Sequence, residues 1–263
     1  MDVSGRSVLL TGATGGLGAA IARRLHRAGA QLILTGRRAE VLEPLAAEVG
    51  GHALAVDLSQ PDEVRRLISQ AGDVDVLVAN AALPASGRLS GYTVEEIDRA
   101  LEVNLRAPIV LSHALAQRMT ARGEGHLLLM SSLAGRAATP GASLYNATKF
   151  GLRGFALALR GELRSQGVGV SLVYPGFIRG AGMFADSGAK LPPGVGTRSP
   201  EDVAEAVLSA VVNNRGEVDV APLPVRAGAL IGAVAPGLAD AFSRRMGSDK
   251  LSQDMEAGQR GKR

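Results

Sequence analysis

The chain alternates short apolar runs with segments of helical spacing, and no other feature narrows the fold as much. Residues 7–10 read as a strand and 16–28 as a helix, with Gly29 placed to end it. Strands at 31–34, 52–56, 74–78, 127–130, 168–174 and 217–220 alternate with helices at 39–49, 61–71, 93–120, 143–166 and 201–213. Pro61 suits a first helical turn with Ser59 as its cap, and Pro108 should interrupt the long helix that carries Asn104. The strands are near-continuous apolar runs, as expected of a parallel sheet covered on both faces. The expectation is a Rossmann-like, doubly wound α/β fold: about seven parallel strands with helices on both faces, in one domain over 1–263. Residues 179–199, rich in Gly and Pro, form a long connection of the kind used as lids. Residues 224–263 form a helical extension. Within it, 227–246 suits two short helices broken at Pro236-Gly237, covering a substrate pocket or a subunit contact.

The first strand runs into Thr11, Gly12, Ala13, Thr14, Gly15, Gly16, Leu17 and Gly18, which open a helix. Glycines let backbone approach a pyrophosphate, and the helix start offers unpaired N–H groups and a positive dipole end. A glycine turn alone is an ordinary turn. Between a strand and a helix it becomes a dinucleotide site.

Tyr145 and Lys149 are four residues apart, hence on one face of a helix, and Ser132 lies thirteen residues before the tyrosine. A free phenol titrates near ~10, and an adjacent ammonium should pull that value down. The pair would then serve as a proton donor and acceptor for a carbonyl or alcohol oxygen, with the Ser132 hydroxyl bonding that oxygen. Taken alone, Tyr-x-x-x-Lys is more often a half-buried ring beside a solvated lysine.

Together these residues resemble the short-chain dehydrogenase/reductases. Gly12, Gly16 and Gly18 match the family's cofactor turn, followed in order by Asn80-Ala81-Ala82, Asn104, Ser131-Ser132-Leu-Ala-Gly135, Tyr145, Lys149 and Pro175-Gly176. The resemblance spans roughly residues 6–220. It implies that Tyr145 exchanges the proton, Lys149 tunes the tyrosine and holds the nicotinamide ribose, and Ser132 polarises the carbonyl. Asn104 would support a water-linked proton path to the lysine. It further implies cofactor contacts at Gly12, Thr14, Gly16, Leu17, Gly18, Asn80, Ala81, Pro175, Gly176 and Ile178, with Asp57 and Leu58 beside the adenine. Asp57 could equally cap a helix. After the second strand the chain has Arg37-Arg38 and no carboxylate, so the expectation is a preference for NADP(H), with NAD(H) possible, and with Arg37 first and Arg38 second. One departure stands out: Gly180 occupies the position where the family usually has threonine.

Composition excludes other chemistries. No cysteine is present, so disulfides, thiolate-bound zinc and thiol catalysis are out, and His26, His52, His113 and His126 show no ligand spacing. The formal charge of +4 sits partly in Arg244, Arg245, Lys250, Arg260, Lys262 and Arg263. No interleaved aromatics accompany them, so nucleic acid is not an expected partner. No apolar run is long enough to span a membrane and the start lacks signal-peptide character, so the expected place is the cytoplasm. A homodimer or homotetramer is expected from the family. Leu83, Leu133, Phe177, Met183, Phe184 and Leu191 suggest a hydrophobic ketone or alcohol. Two rival readings are a cofactor-binding scaffold without turnover and a sugar-nucleotide epimerase-like enzyme. Gly12, Gly15 and Gly18 also fit the epimerase turn, but the chain leaves little room for that branch's second domain.

Overall fold

The computed structural model describes residues 1–191, 195–235, 237 and 248–259. Among these, seven parallel strands form one sheet in the order β3-β2-β1-β4-β5-β6-β7. They are β1 (Ser7–Thr11), β2 (Gln31–Gly36), β3 (His52–Ala55), β4 (Val76–Ala79), β5 (Gly125–Met130), β6 (Val168–Pro175) and β7 (Glu217–Val220). The helices between them are α1 (Gly16–Arg27), α2 (Ala39–Glu48), α3 (Pro61–Gln70), α4 (Val94–Leu101), α5 (Ala107–Arg122), α6 (Ser143–Leu163), α7 (Gly182–Ser187) and α8 (Pro200–Val212). Two more follow β7: α9 (Leu223–Val234) and α10 (Ser248–Gln259). The doubly wound architecture expected from the sequence is the one found.

Side chains alternate across the sheet with period two and split the core into two layers. Val8, Leu10, Val76, Val78 and Leu128 face one layer with Ile21, Leu25, Leu42, Val203 and Val207 of α1, α2 and α8. Leu9, Leu77, Leu127 and Leu129 face the other with Leu67, Leu111, Leu115 and Leu152 of α3, α5 and α6. Every residue of β5 and β6 is buried, which explains their unbroken apolar runs.

Several local expectations change. The long helix is interrupted as expected near Pro108, by a π-turn at Glu102–Arg106. Pro108 has no N–H to offer the carbonyl of Asn104 four residues earlier, so the turn widens there. Ser59 does not cap α3, whose cap position is Gln60 with no side-chain bond. Its backbone N–H and hydroxyl instead donate to Asp57 Oδ1 at 3.0 and 2.9 Å. The 179–199 connection contains α7 and is tied back by a bridge between Ile178 and Arg198. Pro236 and the second of the two expected C-terminal helices lie outside the described residues, as do the side chains of the basic tail. Helix α10 falls within the expected helical extension, beyond the two short helices placed at 227–246, and packs on α7.

Candidate active site

Strand order reverses between β1 and β4, and at that point the chains leaving the two strands diverge over a cleft. The cleft measures ≈ 1540 Å³ and runs from the β1–α1 turn to α9. Gly12, at φ 68°, passes so close to β4 that an added Cβ would lie 2.7 Å from the Cα of Ala81. The contact is fastened from both sides. Thr11 Oγ1 accepts from the N–H groups of Asn80 and Ala81 at 3.0 Å each, and Asn80 Nδ2 donates to the carbonyls of Thr11 and Gly12 at 3.1 and 3.2 Å. A Cβ on Gly16 would meet the Cβ of Ala181 at 2.5 Å, and one on Gly18 the carbonyl of Gly12 at 2.1 Å. No side chain caps the start of α1 and its first turn carries no acid. The turn is thus a glycine cradle ending in open N–H groups, the shape and polarity a pyrophosphate needs.

Gly12, Thr14, Gly16, Leu17, Gly18, Arg37, Arg38, Asp57, Leu58, Asn80, Ala81, Pro175, Gly176 and Ile178 all line this cleft. Arg37 and Arg38 are both exposed at the end of β2. Arg38 Nη2 donates to the carbonyl of Thr14 at 3.2 Å, while the Arg37 guanidinium makes no hydrogen bond or ion pair among the described residues. Asp57 faces the cleft but spends Oδ1 on the Ser59 turn, so it works locally as well. Gly180 has φ 76°, which explains the departure there: a threonine in that backbone would be strained.

Tyr145 and Lys149 of α6 and Ser132 beyond β5 converge on the cleft wall. The two serines divide their work. Ser131 is buried and donates to the carbonyl of Lys149 at 3.2 Å, whereas Ser132 accepts from the N–H of Ala134 at 3.2 Å and donates to the carbonyl of Pro175 at 3.4 Å. Lys149 is 2 % exposed and donates Nζ to the carbonyl of Met130 at 2.9 Å.

The direction of the Tyr145 shift is opposite to the expectation. Burial pushes the phenol up to about 12, and the Ser132 hydroxyl beside it only partly offsets this. Burial also brings Lys149 down to about 8. Desolvation acts against both charged forms at once and outweighs the attraction that spacing alone suggests.

Asn104 is fully buried but does not line the cleft. Its Oδ1 accepts from the N–H of Leu83 at 2.6 Å and its Nδ2 donates to the carbonyl of Leu83 at 2.9 Å. The carboxamide therefore anchors the strand-end segment after β4. Leu83, Leu133, Phe177, Met183 and Phe184 line the substrate half, and Leu191 does not. Phe177 and Phe184 meet edge to face at 5.1 Å, and α9 adds Val225, Ala229 and Ile231. Among the described residues, no group of three or more potential ligands could hold a metal ion, and no helix is long and apolar enough to cross a membrane.

Sequence reasoning missed two residues, Asn146 and Arg136. Asn146 bonds the segment after Ser132 three times. Arg136, 7 % exposed, lies 4.1 Å over the Tyr174 ring and donates Nε to Asp219 Oδ1 at 2.9 Å. Glu217 lies 3.5 Å from Arg136 and also accepts from the Tyr174 hydroxyl at 2.5 Å. The available signal was a lone cation and a lone amide in otherwise small, apolar surroundings.

A family model described as short chain dehydrogenase matches residues 6–191. The chain is 35% identical over 232 residues to ketoacyl reductase HetN of Nostoc sp., covering 85% of this chain and 81% of that protein. It is 32% identical to the 3-oxoacyl-(acyl-carrier-protein) reductase FabG of Rickettsia prowazekii, over 88% of this chain and 99% of that one. A short-chain dehydrogenase from Sphingobium yanoikuyae, solved in complex with NADPH, superposes with a TM-score of 0.77 at 29% identity, covering 89% of this chain and 96% of that one.

Proposed function

This chain belongs to the short-chain dehydrogenase family, and we propose that it is an NADP(H)-dependent oxidoreductase interconverting a carbonyl and an alcohol on a hydrophobic substrate. The observation that carries the reading is the convergence of Ser132, Tyr145 and Lys149 on one cleft whose other end is a glycine cradle flanked by two arginines. Each end suits a different part of the chemistry.

The glycine turn holds a pyrophosphate on backbone N–H groups at the start of α1. Arg37, with its guanidinium uncommitted, takes a ribose 2′-phosphate as a charge-assisted pair, and Arg38 braces Thr14 beside it. An NADP(H) cofactor bound there supplies or accepts the hydride. The chain supplies position and the proton. Ser132 directs its hydroxyl at the substrate oxygen, and Tyr145, neutral at physiological pH, gives that oxygen its proton as charge grows on it. In the opposite direction Tyr145 takes the proton, which requires its pKa to fall from about 12. Lys149, one helical turn away, is the cation available to lower it. The apolar walls from Leu133, Phe177, Phe184 and α9 exclude water and favour a hydrophobic ketone. The ketoacyl reductases among the relatives act on keto groups by their names, which agrees with this reaction class.

Titration of purified protein with NADPH and NADH, followed by nucleotide fluorescence, tests the reading. NADPH should bind at least about tenfold tighter than NADH, and Arg37→Ala should remove most of that difference. Equal affinity for the two, unchanged by the substitution, would refute the role of Arg37. No binding of either would refute the function.

A further inference from the structure

Asn146 follows Tyr145 directly on α6 and is 6 % exposed. Its Nδ2 donates to the carbonyls of Ala134 and Ala137 at 2.6 and 3.2 Å, and its Oδ1 accepts from the N–H of Thr139 at 3.2 Å. The whole carboxamide is spent on one segment. Ala134, Ala137 and Thr139 all line the cleft. The N–H of Ala134, whose carbonyl Asn146 holds, donates to Ser132 Oγ at 3.2 Å. A chain of contacts results: Ser132 to Ala134, Ala134 to Asn146, and Asn146 to Tyr145 through one peptide bond.

We propose that Asn146 is a positioning residue that sets the Ser132 hydroxyl against the Tyr145 phenol by holding the 134–139 segment to the helix that carries the phenol. The inference rests on the reading of Ser132 and Tyr145 as the reacting pair. Arg136 grips the same segment from the other side, but it refers the segment to Asp219 of β7 and not to α6. Asn146 ties the segment after Ser132 to the tyrosine's own helix, as Ser131 ties the residue before it through the carbonyl of Lys149. The bond from Ala134 also orients the serine. Ser132 accepts there and donates to the carbonyl of Pro175 at 3.4 Å, a long bond that a substrate oxygen in the cleft can replace. Removing the carboxamide leaves two carbonyls and an N–H without their partner, and the segment relieves this by moving.

The experiment compares wild type, Asn146→Ala and Asn146→Asp with NADPH and a panel of hydrophobic ketones. Displacement of a reacting group by about 1 Å costs on the order of a hundredfold, so kcat should fall at least about tenfold in Asn146→Ala, with KM and the NADPH Kd within about twofold. Asn146→Asp keeps the volume and the bond from Thr139, but sets a carboxylate against the carbonyls of Ala134 and Ala137. Its activity relative to wild type should recover as pH falls and the carboxyl regains a donor hydrogen, whereas that of Asn146→Ala should not. A residue that merely filled space would give no such split. Amide hydrogen exchange at 134–139 should rise in both variants at neutral pH. If Asn146→Ala does not fold, the pH-dependent recovery of Asn146→Asp decides. Wild-type turnover with a kcat in either folded variant within about twofold of it, at every pH, overturns the positioning role alone. Absence of turnover by the wild type overturns the function with it.

Discussion

Lys149 Nζ lies 5.6 Å from the centre of the Tyr145 ring while donating to the carbonyl of Met130 at 2.9 Å. The lysine is thus anchored to β5, and it is the burial of both groups that sets their titration. Burial lowers Lys149 from 10.5 to about 8, so between those values the unfolded chain holds a proton that the folded one has lost. Stability therefore rises with pH across that window and its gain is lost again as pH falls from 10.5 through 8, by at most about 1.4 kcal/mol per pH unit. Urea unfolding at pH 8 and pH 10 should show this gain in wild type, and Lys149→Met should remove it.

Tyr145→Phe removes the phenol proton that the cleft wall presents beside Ser132. A loss in kcat of about 10²–10⁴-fold is expected, with NADPH affinity nearly unchanged. Ser132→Ala should cost less, since the proton donor survives. Steady-state kinetics with fluorescence binding separates the two effects, and a Tyr145→Phe enzyme with near-normal kcat would remove the tyrosine from the chemistry.

The cradle predicts opposite fates for neighbouring glycines. A Cβ on Gly12 would meet the backbone of Ala81 at 2.7 Å in a positive-φ conformation, whereas one on Gly15 meets only the carbonyl of Gly12 at 3.5 Å. Gly12→Ala should destabilise the fold by about 1–3 kcal/mol and abolish tight NADPH binding. Gly15→Ala should leave thermal stability close to wild type.

At Gly180 the surroundings are open but φ is 76°. Gly180→Thr should lower stability by about 1–2 kcal/mol from backbone strain without a clash, and should not tighten NADPH binding. A threonine variant as stable as wild type with higher affinity would show that the loop readily adopts another backbone.

These tests show where the sequence was legible. Alternation of Val8, Leu9 and Leu10 between two core layers is written directly in the chain, and so is the i, i+4 pairing of Tyr145 and Lys149. Spacing brings the two together but carries no record of desolvation, so the direction of the Tyr145 shift was out of reach. Asn104 read as a residue of the proton path. Its carboxamide is committed to Leu83, a segment 21 residues away in sequence, and no local pattern announces such a contact. Asn146 and Arg136 were invisible for the same reason: their meaning lies in partners at Ala134 and Asp219. Ser59 has the composition of a cap, but its hydroxyl bonds Asp57, a local alternative that residue type alone does not distinguish from capping.

The strand order carries a consequence for biogenesis. The N-terminal strand β1 is a central strand, paired with β2 on one side and β4 on the other. As the chain leaves the ribosome, β1, β2 and β3 can join into a half-sheet whose β1 edge stays open until residues 76–79 emerge. That edge is a row of unpaired backbone groups on an apolar strand, the kind of surface that chaperones shield and that aggregation exploits. A slow stretch of translation just before β4 would lengthen this exposure, whereas one after β4 would find the edge already closed.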